Sequence, residues 1–234
     1  RWSGTVCECS MEVKKIIYIF FLAYLFNYET EHTVSMFKIP MANVKIEKKD
    51  TIYNNISSTK LIFKTNTNRF TSQFFKVDNT YETIINNNTQ SILSFKKSTY
   101  QPNVTNKLET IFKNDTLVYK GSNKKILNNY FNIFSLLHYL ETKPYDQIDS
   151  YQIVDREGLL YVCNIKKNKV DDRFEFILKF NLINDLNDAV IENTDLFTWA
   201  LFNESATNKI IIRNSRIEYC SFKSGIANLK SHIK

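Results

Sequence analysis

Glycine and proline are scarce in this chain of 234 residues, which has four glycines and three prolines. Phosphate-binding loops and dinucleotide-binding turns need clustered glycines, whereas the four glycines here stand far apart in the sequence. The sequence therefore excludes those two classes of nucleotide-binding protein. Asparagine is abundant instead, and we expect it to form the turns.

Histidine is also scarce, which limits acid–base chemistry. Of the three histidines, His32 lies near the beginning and His232 near the end, so His138 is the only plausible general base. It has no partner nearby in the sequence and lies beside an apolar helical stripe, which favours a structural role. The chain contains no H-E-x-x-H, G-x-S-x-G or C-x-x-C motif.

Acidic residues form two close pairs, Asp171/Asp172 and Asp185/Asp188. Carboxylates in asparagine-rich turns are usually solvated, and the second pair lacks the spacing and central glycine of an EF-hand. The sequence therefore predicts no catalytic residue, no metal site and no cofactor. A hydrolase that uses carboxylates is a distant third alternative.

Cysteine is sparse, with Cys7 and Cys9 near the beginning and Cys163 and Cys220 in strand-like segments. Two strand cysteines could pair in an oxidising compartment, but sequence alone cannot bring their Cα atoms within reach of a disulfide. Two buried free thiols are favoured, and a Cys163–Cys220 disulfide is the alternative.

One apolar run near the beginning resembles an export signal. It covers residues 16–26, follows Lys14 and Lys15, and is shorter than the ~20 residues that a membrane span needs. We expect a start at Met11, cleavage after Ser35, and a leader comprising residues 1–35, with His32 in its tail; a buried amphipathic segment is the alternative. Residues 36–234 would form a single exported domain, periplasmic or extracellular.

Positive charge is in excess, with a net charge of +7. The lysines are scattered singly, as on a solvated face, and no arginine-rich helix or zinc motif supports nucleic-acid binding. We expect no nucleic-acid partner. Peripheral contact with an anionic membrane surface stays open, and the predicted exported domain contains no transmembrane span.

The remaining sequence is rich in phenylalanine and tyrosine and indicates an all-β fold. Short β-prone runs alternate with polar turns, which predicts an antiparallel meander curved into a sheet or partly open barrel. In one run Phe174, Phe176, Leu178 and Phe180 alternate with three charged residues and Ile177, which marks a half-buried strand. Further predicted strands cover residues 58–66, 69–77, 79–86, 90–97 and 209–213, with a hairpin over residues 106–121.

One helix of about 12 residues is predicted near residues 129–141, crossing the sheet between two strand blocks. Its apolar residues Ile133, Leu136, Leu137 and Leu140 follow helical spacing. Asn128 or Asn129 can cap its beginning, and a proline follows its end.

The stretch "DLFTWALF" is predicted to be the first arm of a late hairpin. Phe197, Trp199 and Leu201 would share a face. Ile210 and Ile212 of the returning strand would pack against them. On this reading Trp199 is a core anchor.

Three segments resemble a family of uncharacterised bacterial exported proteins, domain of unknown function 3108. They are "LIFKTNTNRFTSQFFKVDNTYETIINNNT", the helix in "NIFSLLHYLE", and the late tryptophan hairpin followed by "SGIANL". The family's aspartate and proline after the tryptophan are replaced here by Asn203, Glu204 and Asn208. The resemblance implies an exported all-β domain with no established activity.

Function follows less directly from these features. A curved sheet rich in aromatic residues can hold an apolar or lipid-like envelope ligand, and Phe174, Phe176, Trp199 and Phe222 are the candidate lining residues. The alternative is a structural or protein-interaction component of the cell envelope without a small ligand.

Overall fold

The computed structural model describes residues 27–183, 189–225 and 227–234. These residues form fourteen strands of one antiparallel sheet and two α-helices, which confirms the predicted all-β class. The elements are β1 Asn27–Met36, β2 Ile39–Tyr53, β3 Ile56–Thr67, β4 Asp78–Asn86, β5 Ile92–Gln101, β6 Val104–Lys113, β7 Thr116–Tyr119, β8 Lys125–Leu127, α1 Ile133–Thr142, β9 Tyr151–Arg156, β10 Leu159–Val170, β11 Arg173–Leu182, α2 Leu196–Phe202, β12 Thr207–Arg213, β13 Arg216–Ser224 and β14 Ala227–Ile233.

The sheet consists of two meanders that meet in its centre. One runs from β1 outward to β8 and the other from β14 outward to β9, and β1 pairs with β14 so that His32 faces Ile233. Phe131, just before α1, forms a parallel bridge to Val154 of β9. This bridge brings the two outer ends of the sheet together, and the sheet becomes a nearly closed barrel.

Asparagine does form the tight turns of the barrel. Asn54 and Asn55 connect β2 to β3 with positive φ angles of 48° and 63°, and Asn114 begins the two-residue turn between β6 and β7 with φ 49°. Two residues with positive φ match the right-handed twist of a hairpin. Asparagine tolerates this conformation better than most residues, which explains how a chain with few glycines builds so many hairpins.

The predicted end of the leader falls inside β1. Cleavage after Ser35 would remove almost all of β1, yet β1 fills the place between β2 and β14 and pairs with both. The folded domain therefore includes Asn27 and the residues after it. The apolar run of residues 16–26 lies outside the described residues, and the signal peptide stays a prediction.

Helix α1 plugs the interior of the barrel. Eight of its ten residues are buried, and Phe134 packs against four aromatic rings, those of Phe63, Tyr81, Phe95 and Phe197, at centroid distances of 4.6–6.3 Å. At its other end Glu141 pairs with Lys48 and accepts a hydrogen bond of 2.9 Å from the backbone of Ile217. The helix thus spans the barrel from β9 to β13.

The helix begins later than predicted. Asn132 is the N-cap and accepts a hydrogen bond from the backbone of Ser135 at 2.9 Å, in a reciprocal capping box. Asn128 and Asn129 cannot serve because Phe131 is still held in the bridge to β9, where Asp155 donates its backbone N–H to Phe131 at 2.7 Å. The existence of the helix is confirmed and its boundary is corrected.

Residues 69–77 do not form the predicted strand. The side chain of Asn68 accepts a hydrogen bond from the backbone of Thr71 at 2.8 Å, and a single 3-10 turn follows at Thr71–Gln73. This local capping replaces ladder pairing. Phe70 and Phe74 consequently lie on the outside of the loop between β3 and β4.

The tryptophan run is also not a strand, because residues 196–202 form helix α2. Asp195 is its N-cap and accepts from the backbone of Thr198 at 3.0 Å, while Asn208 donates to the carbonyl of Leu201 at 2.9 Å at its end. The buried positions follow helical rather than alternating spacing, and Trp199 is 47% exposed. Trp199 is therefore not a core anchor.

Both described cysteines are buried free thiols, as favoured by the sequence. Cys163 lies on β10 and Cys220 on β13, which are separated in the sheet by β11 and β12. Burial raises the pKa of both thiols, so both are held in their unreactive protonated form.

Candidate ligand-binding cavity

An apolar cavity of about 420 Å³ lies inside the barrel, between α1 and the end of the barrel that carries the β1–β2 turn. Its wall combines the inner faces of β1 to β4, β13 and β14 with residues of both helices and of the loop between β3 and β4. Most lining side chains are apolar, including Val34, Val44, Phe63, Phe134, Phe197 and Phe222.

Strand alternation explains which side chains line this wall. On β1 the inward residues are His32, Val34 and Met36, and Val34 and Met36 pair with Ser231 and Leu229 of β14, which also line the cavity. Side chains alternate between the two faces of a sheet. Lys230, between Leu229 and Ser231, departs from this alternation, because it too is among the residues that line the cavity.

His32 supplies the cavity with a buried polar group. Its side chain lies on the cavity wall, and the residue is 2% exposed. It has no hydrogen-bond partner among residues 27–183, 189–225 and 227–234. Burial, with a smaller contribution from His232, lowers its pKa to about 4. The imidazole is therefore neutral near pH 7 and can either donate or accept a hydrogen bond from an occupant.

A polar cluster lies behind the cavity wall at Tyr81. Asn79 donates a hydrogen bond of 3.0 Å to the Tyr81 hydroxyl, and both residues line the cavity. Beyond Tyr81, the Lys97 ammonium pairs with Glu157 and lies 2.6 Å from Asp195 Oδ2. We call Lys97, Glu157 and Asp195 the buried clasp, because all three side chains are at most 4% exposed.

The buried clasp holds together parts of the barrel that are distant in the sheet. Lys97 lies on β5, Glu157 in the turn between β9 and β10, and Asp195 at the beginning of α2. Burial acts to raise the pKa of Asp195, but the Lys97 ammonium and the hydrogen bonds from Thr198 outweigh it and lower this pKa below its ordinary value. The clasp thus sets one lysine against two carboxyl groups.

A second buried contact crosses the same gap in the sheet. The Tyr119 hydroxyl of β7 bonds with Asp155 of β9, and the backbone of Gly158 donates 2.9 Å to the other carboxyl oxygen. Burial raises the pKa of Asp155 from its ordinary 3.8 to about 7, although these two hydrogen bonds act to lower it. Glu157 nearby raises it further and Lys124 lowers it.

This raised pKa predicts a pH-dependent stability. Between pH 3.8 and about 7 the folded domain keeps a proton on Asp155 that the unfolded chain has released. The stabilisation is therefore complete at low pH and lost as the pH rises to about 7, with a slope of about 1 kcal/mol per pH unit. The free energy of unfolding, measured with urea between pH 4 and about 7, should fall less steeply with pH for Asp155→Asn than for the wild type.

The matched control is Asp149→Asn. Asp149 also accepts a hydrogen bond from a tyrosine, Tyr139 at 3.1 Å, but it is exposed. We expect the control to follow the wild-type pH dependence. Parallel curves for wild type and Asp155→Asn would contradict the assignment.

The four candidate lining residues from the sequence are not brought together. Phe222 lines the cavity and packs edge-to-face on Phe197 at 5.5 Å. Phe174 stacks on Tyr145 at 4.7 Å, Phe176 is buried in the core, and Trp199 lies on the exposed side of α2. Phe174, Phe176 and Trp199 are not part of the lining of this cavity.

Several lining residues escaped sequence reasoning. His32 and Val34 of β1 fall in the predicted leader, although the alternation of His32, Val34 and Met36 with polar residues is a strand signal. The sequence prediction places Phe197 on a strand face with Trp199, although an aspartate directly before an apolar run, here Asp195, is a helix-start signal.

Among the described residues, His138 is not paired with Asp171 or Asp172, one of the two candidate carboxylate pairs. It lies on α1, and burial, followed by the nearby Lys48 charge, lowers its pKa to about 4. Asp171 is in the turn after β10, Asp172 pairs with Arg213 at 2.7 Å, and Asp185 and Asp188 lie outside the described residues. Across the described ranges, no group of three or more acidic, histidine or cysteine side chains is arranged to hold a metal ion.

Comparisons with known proteins identify the fold. No protein-family model and no curated protein matches the chain. A solved structure, the "beta-barrel-like protein of domain of unknown function DUF1849" from Brucella abortus, is similar with a TM-score of 0.54 and 8% sequence identity. The match covers 89% of this chain and 96% of that one, so the two proteins share an uncharacterised barrel-like fold.

Both helices are short. Within the part of the chain that the structure describes, neither helix is long and apolar enough to cross a bilayer.

Proposed function

We propose that this protein is a binding domain for an apolar or lipid-like ligand, which it holds in the cavity of the barrel. The observation that carries the proposal is an apolar cavity of about 420 Å³ in a barrel otherwise plugged by α1. That volume falls within the roughly 300–1,000 Å³ of small-molecule sites, which are mostly apolar with few polar groups.

The polar groups of the wall favour a ligand with one uncharged polar end. His32 is neutral and has no partner among the described residues, so an alcohol, ester or amide group of the ligand can hydrogen-bond to it. Behind Tyr81, the single lysine of the buried clasp is already paired with two carboxyl groups. An anionic head group is therefore disfavoured at that wall.

Export completes the proposal. The signal peptide predicted from residues 11–26 would direct the domain to the periplasm or outside the cell, where envelope lipids supply ligands of this kind. The resemblance to domain of unknown function 3108 supports the same location, and membership of that family stays a prediction.

Filling the cavity should abolish ligand binding. Ala42 lies on the inward face of β2 and lines the cavity, so Ala42→Trp places a large ring within it. We expect the affinity for N-phenyl-1-naphthylamine, a hydrophobic fluorescent probe, to fall by about tenfold or more, equivalent to about 1.4 kcal/mol. Fluorescence titration measures this loss, and circular dichroism verifies the fold.

The matched control is Asn43→Trp, one residue along the same strand with its side chain on the outer face. It should bind the probe as the wild type does. If overpacking prevents Ala42→Trp from folding, the smaller change Val34→Phe tests the same wall. Equal binding by folded cavity and control variants would contradict the proposal.

Native mass spectrometry of the protein purified from its own cell envelope should show a bound lipid-like mass. Repeated recovery of the bare chain, together with no probe binding, would instead favour a structural component of the envelope without a small ligand.

A further inference from the structure

Three phenylalanine rings are exposed near the cavity. Phe37, Phe70 and Phe74 are 64%, 68% and 77% exposed. Phe37 lies in the turn between β1 and β2, and the other two lie in the loop between β3 and β4, where their rings contact edge-to-face at 5.8 Å. We call these three rings the aromatic tip. Exposed large apolar side chains that cluster in this way mark interaction sites.

The loop between β3 and β4 is held against the beginning of β2, directly after the turn that carries Phe37. Asn68 donates its side-chain amide to the carbonyl of Pro40 at 2.6 Å, and its backbone N–H to the carbonyl of Met41 at 3.0 Å. Met41 of β2 and Thr71 and Phe75 of the loop line the cavity. The aromatic tip therefore stands at the end of the barrel where the cavity lies.

The backbone at Phe37 shows an unusual residue choice. Phe37 and Lys38 form a two-residue turn with φ angles of 51° and 68°. The turns after β2 and β6 fill such positions with Asn54, Asn55 and Asn114. A bulky aromatic residue is disfavoured at positive φ, so the fold gains nothing from a phenylalanine here, and its exposed ring gains no burial.

Positive charges surround the rings. Each loop carries basic residues beside its phenylalanines, namely Lys38, Arg69 and Lys76, all exposed. The exposed acid of these segments is Asp78, which accepts a hydrogen bond from Asn66 at 2.9 Å. The two loops with Asp78 thus carry a net charge of +2. Apolar rings flanked by lysine and arginine are suited to the anionic surface of a bilayer.

We propose that the aromatic tip docks the protein on an anionic lipid bilayer, with the three phenylalanine rings inserted among the head groups and the basic residues against the lipid charges. This orientation turns the cavity end of the barrel towards the membrane. Leu196 of α2, which is 43% exposed, also lines the cavity. Docking goes beyond the ligand-binding function and does not depend on it.

Vesicle binding tests the proposal directly. The protein is mixed with vesicles of phosphatidylcholine, alone or with phosphatidylglycerol added, and the bound fraction is measured by flotation. We expect binding to the anionic vesicles that weakens with salt. The double variant Phe70→Ser/Phe74→Ser should lose about tenfold or more in affinity, because binding scales with inserted apolar area. Lys38→Gln, Arg69→Gln and Lys76→Gln should each weaken it by roughly fivefold at low salt.

The matched control is Ile52→Ser/Val170→Ser. Both residues are exposed, at 77% and 48%, but lie towards the opposite end of the barrel, near the β2–β3 and β10–β11 turns. This variant should bind vesicles as the wild type does. Absence of wild-type binding to anionic vesicles, or an equal loss in the control, would overturn the proposal. The proposal would also be overturned if the protein did not bind vesicles and light scattering showed a dimer that the Phe70→Ser/Phe74→Ser substitutions abolish.

A separate measurement keeps this result distinct from ligand binding. In vesicle-free buffer the Phe70→Ser/Phe74→Ser variant should bind N-phenyl-1-naphthylamine like the wild type, since neither ring lines the cavity. Loss of docking with intact probe binding confirms the aromatic tip as the docking surface. Loss of probe binding together with docking would indicate a damaged loop and overturn the assignment.

Discussion

Replacing Lys97 by methionine is expected to lower the free energy of unfolding by about 3–5 kcal/mol, because it leaves two buried carboxylates without their cation. The Lys97 ammonium contacts both Glu157 and Asp195, and all three side chains are at most 4% exposed. Urea unfolding, monitored by circular dichroism, measures the change.

The neighbouring Lys96 provides the control. It lies on the outer face of β5 and pairs with Glu109 at 3.2 Å, with a side chain 52% exposed. Exposed ion pairs contribute ~0–1 kcal/mol, so Lys96→Met should change stability little. A cost for Lys97→Met as small as that of Lys96→Met would contradict the role of the buried clasp.

A triple variant distinguishes the cost of unpaired buried charges from the cost of changing the packing of the clasp. Lys97→Met combined with Glu157→Gln and Asp195→Asn removes the unpaired charges and keeps an N-cap for α2. Replacing all members of a buried ionic cluster is often far less costly than removing one. We therefore expect the triple variant to be more stable than Lys97→Met alone.

Replacing Phe134 by alanine is expected to lower the free energy of unfolding by about 3–5 kcal/mol, through lost burial and the cavity left behind. Phe134 is 4% exposed and lies within 6.3 Å, centroid to centroid, of four other aromatic rings. The substitution would weaken the packing of α1 against the barrel wall. Chemical denaturation measures the shift in midpoint.

Trp199→Ala is the informative comparison for Phe134→Ala. The hairpin interpretation of the sequence assigns to Trp199 the large cost of a core anchor, whereas its position on the exposed side of α2 predicts a small one. We expect Trp199→Ala to cost no more than about 1 kcal/mol. A larger loss for Trp199→Ala than for Phe134→Ala would contradict the structure.

The strands with regular alternation were predictable from the sequence. Phe174, Phe176, Leu178 and Phe180 share the inner face of β11 as their period of two requires, and α1 forms where the apolar residues follow helical spacing. In these segments local preference and burial point to the same structure. The fold class followed from them.

The candidate site was not predictable to the same degree, because its parts meet only in three dimensions. Lys97 lies 60 residues from Glu157 and 98 from Asp195 along the chain. Likewise, β1 and β14 come from opposite ends of the described chain, and no local pattern specifies their pairing. Where a cap competed with alternation, as at Asn68 and Asp195, the cap decided the local structure.

The pairing of β1 with β14 also constrains when the barrel can form. His32 pairs with Ile233, so the pairing of β1 with β14 cannot be complete until Ile233 has left the ribosome. Contacts this distant in sequence slow folding. We propose that the chain crosses a membrane unfolded. This topology would keep the barrel from closing during synthesis, so that export could precede the pairing of β1 with β14.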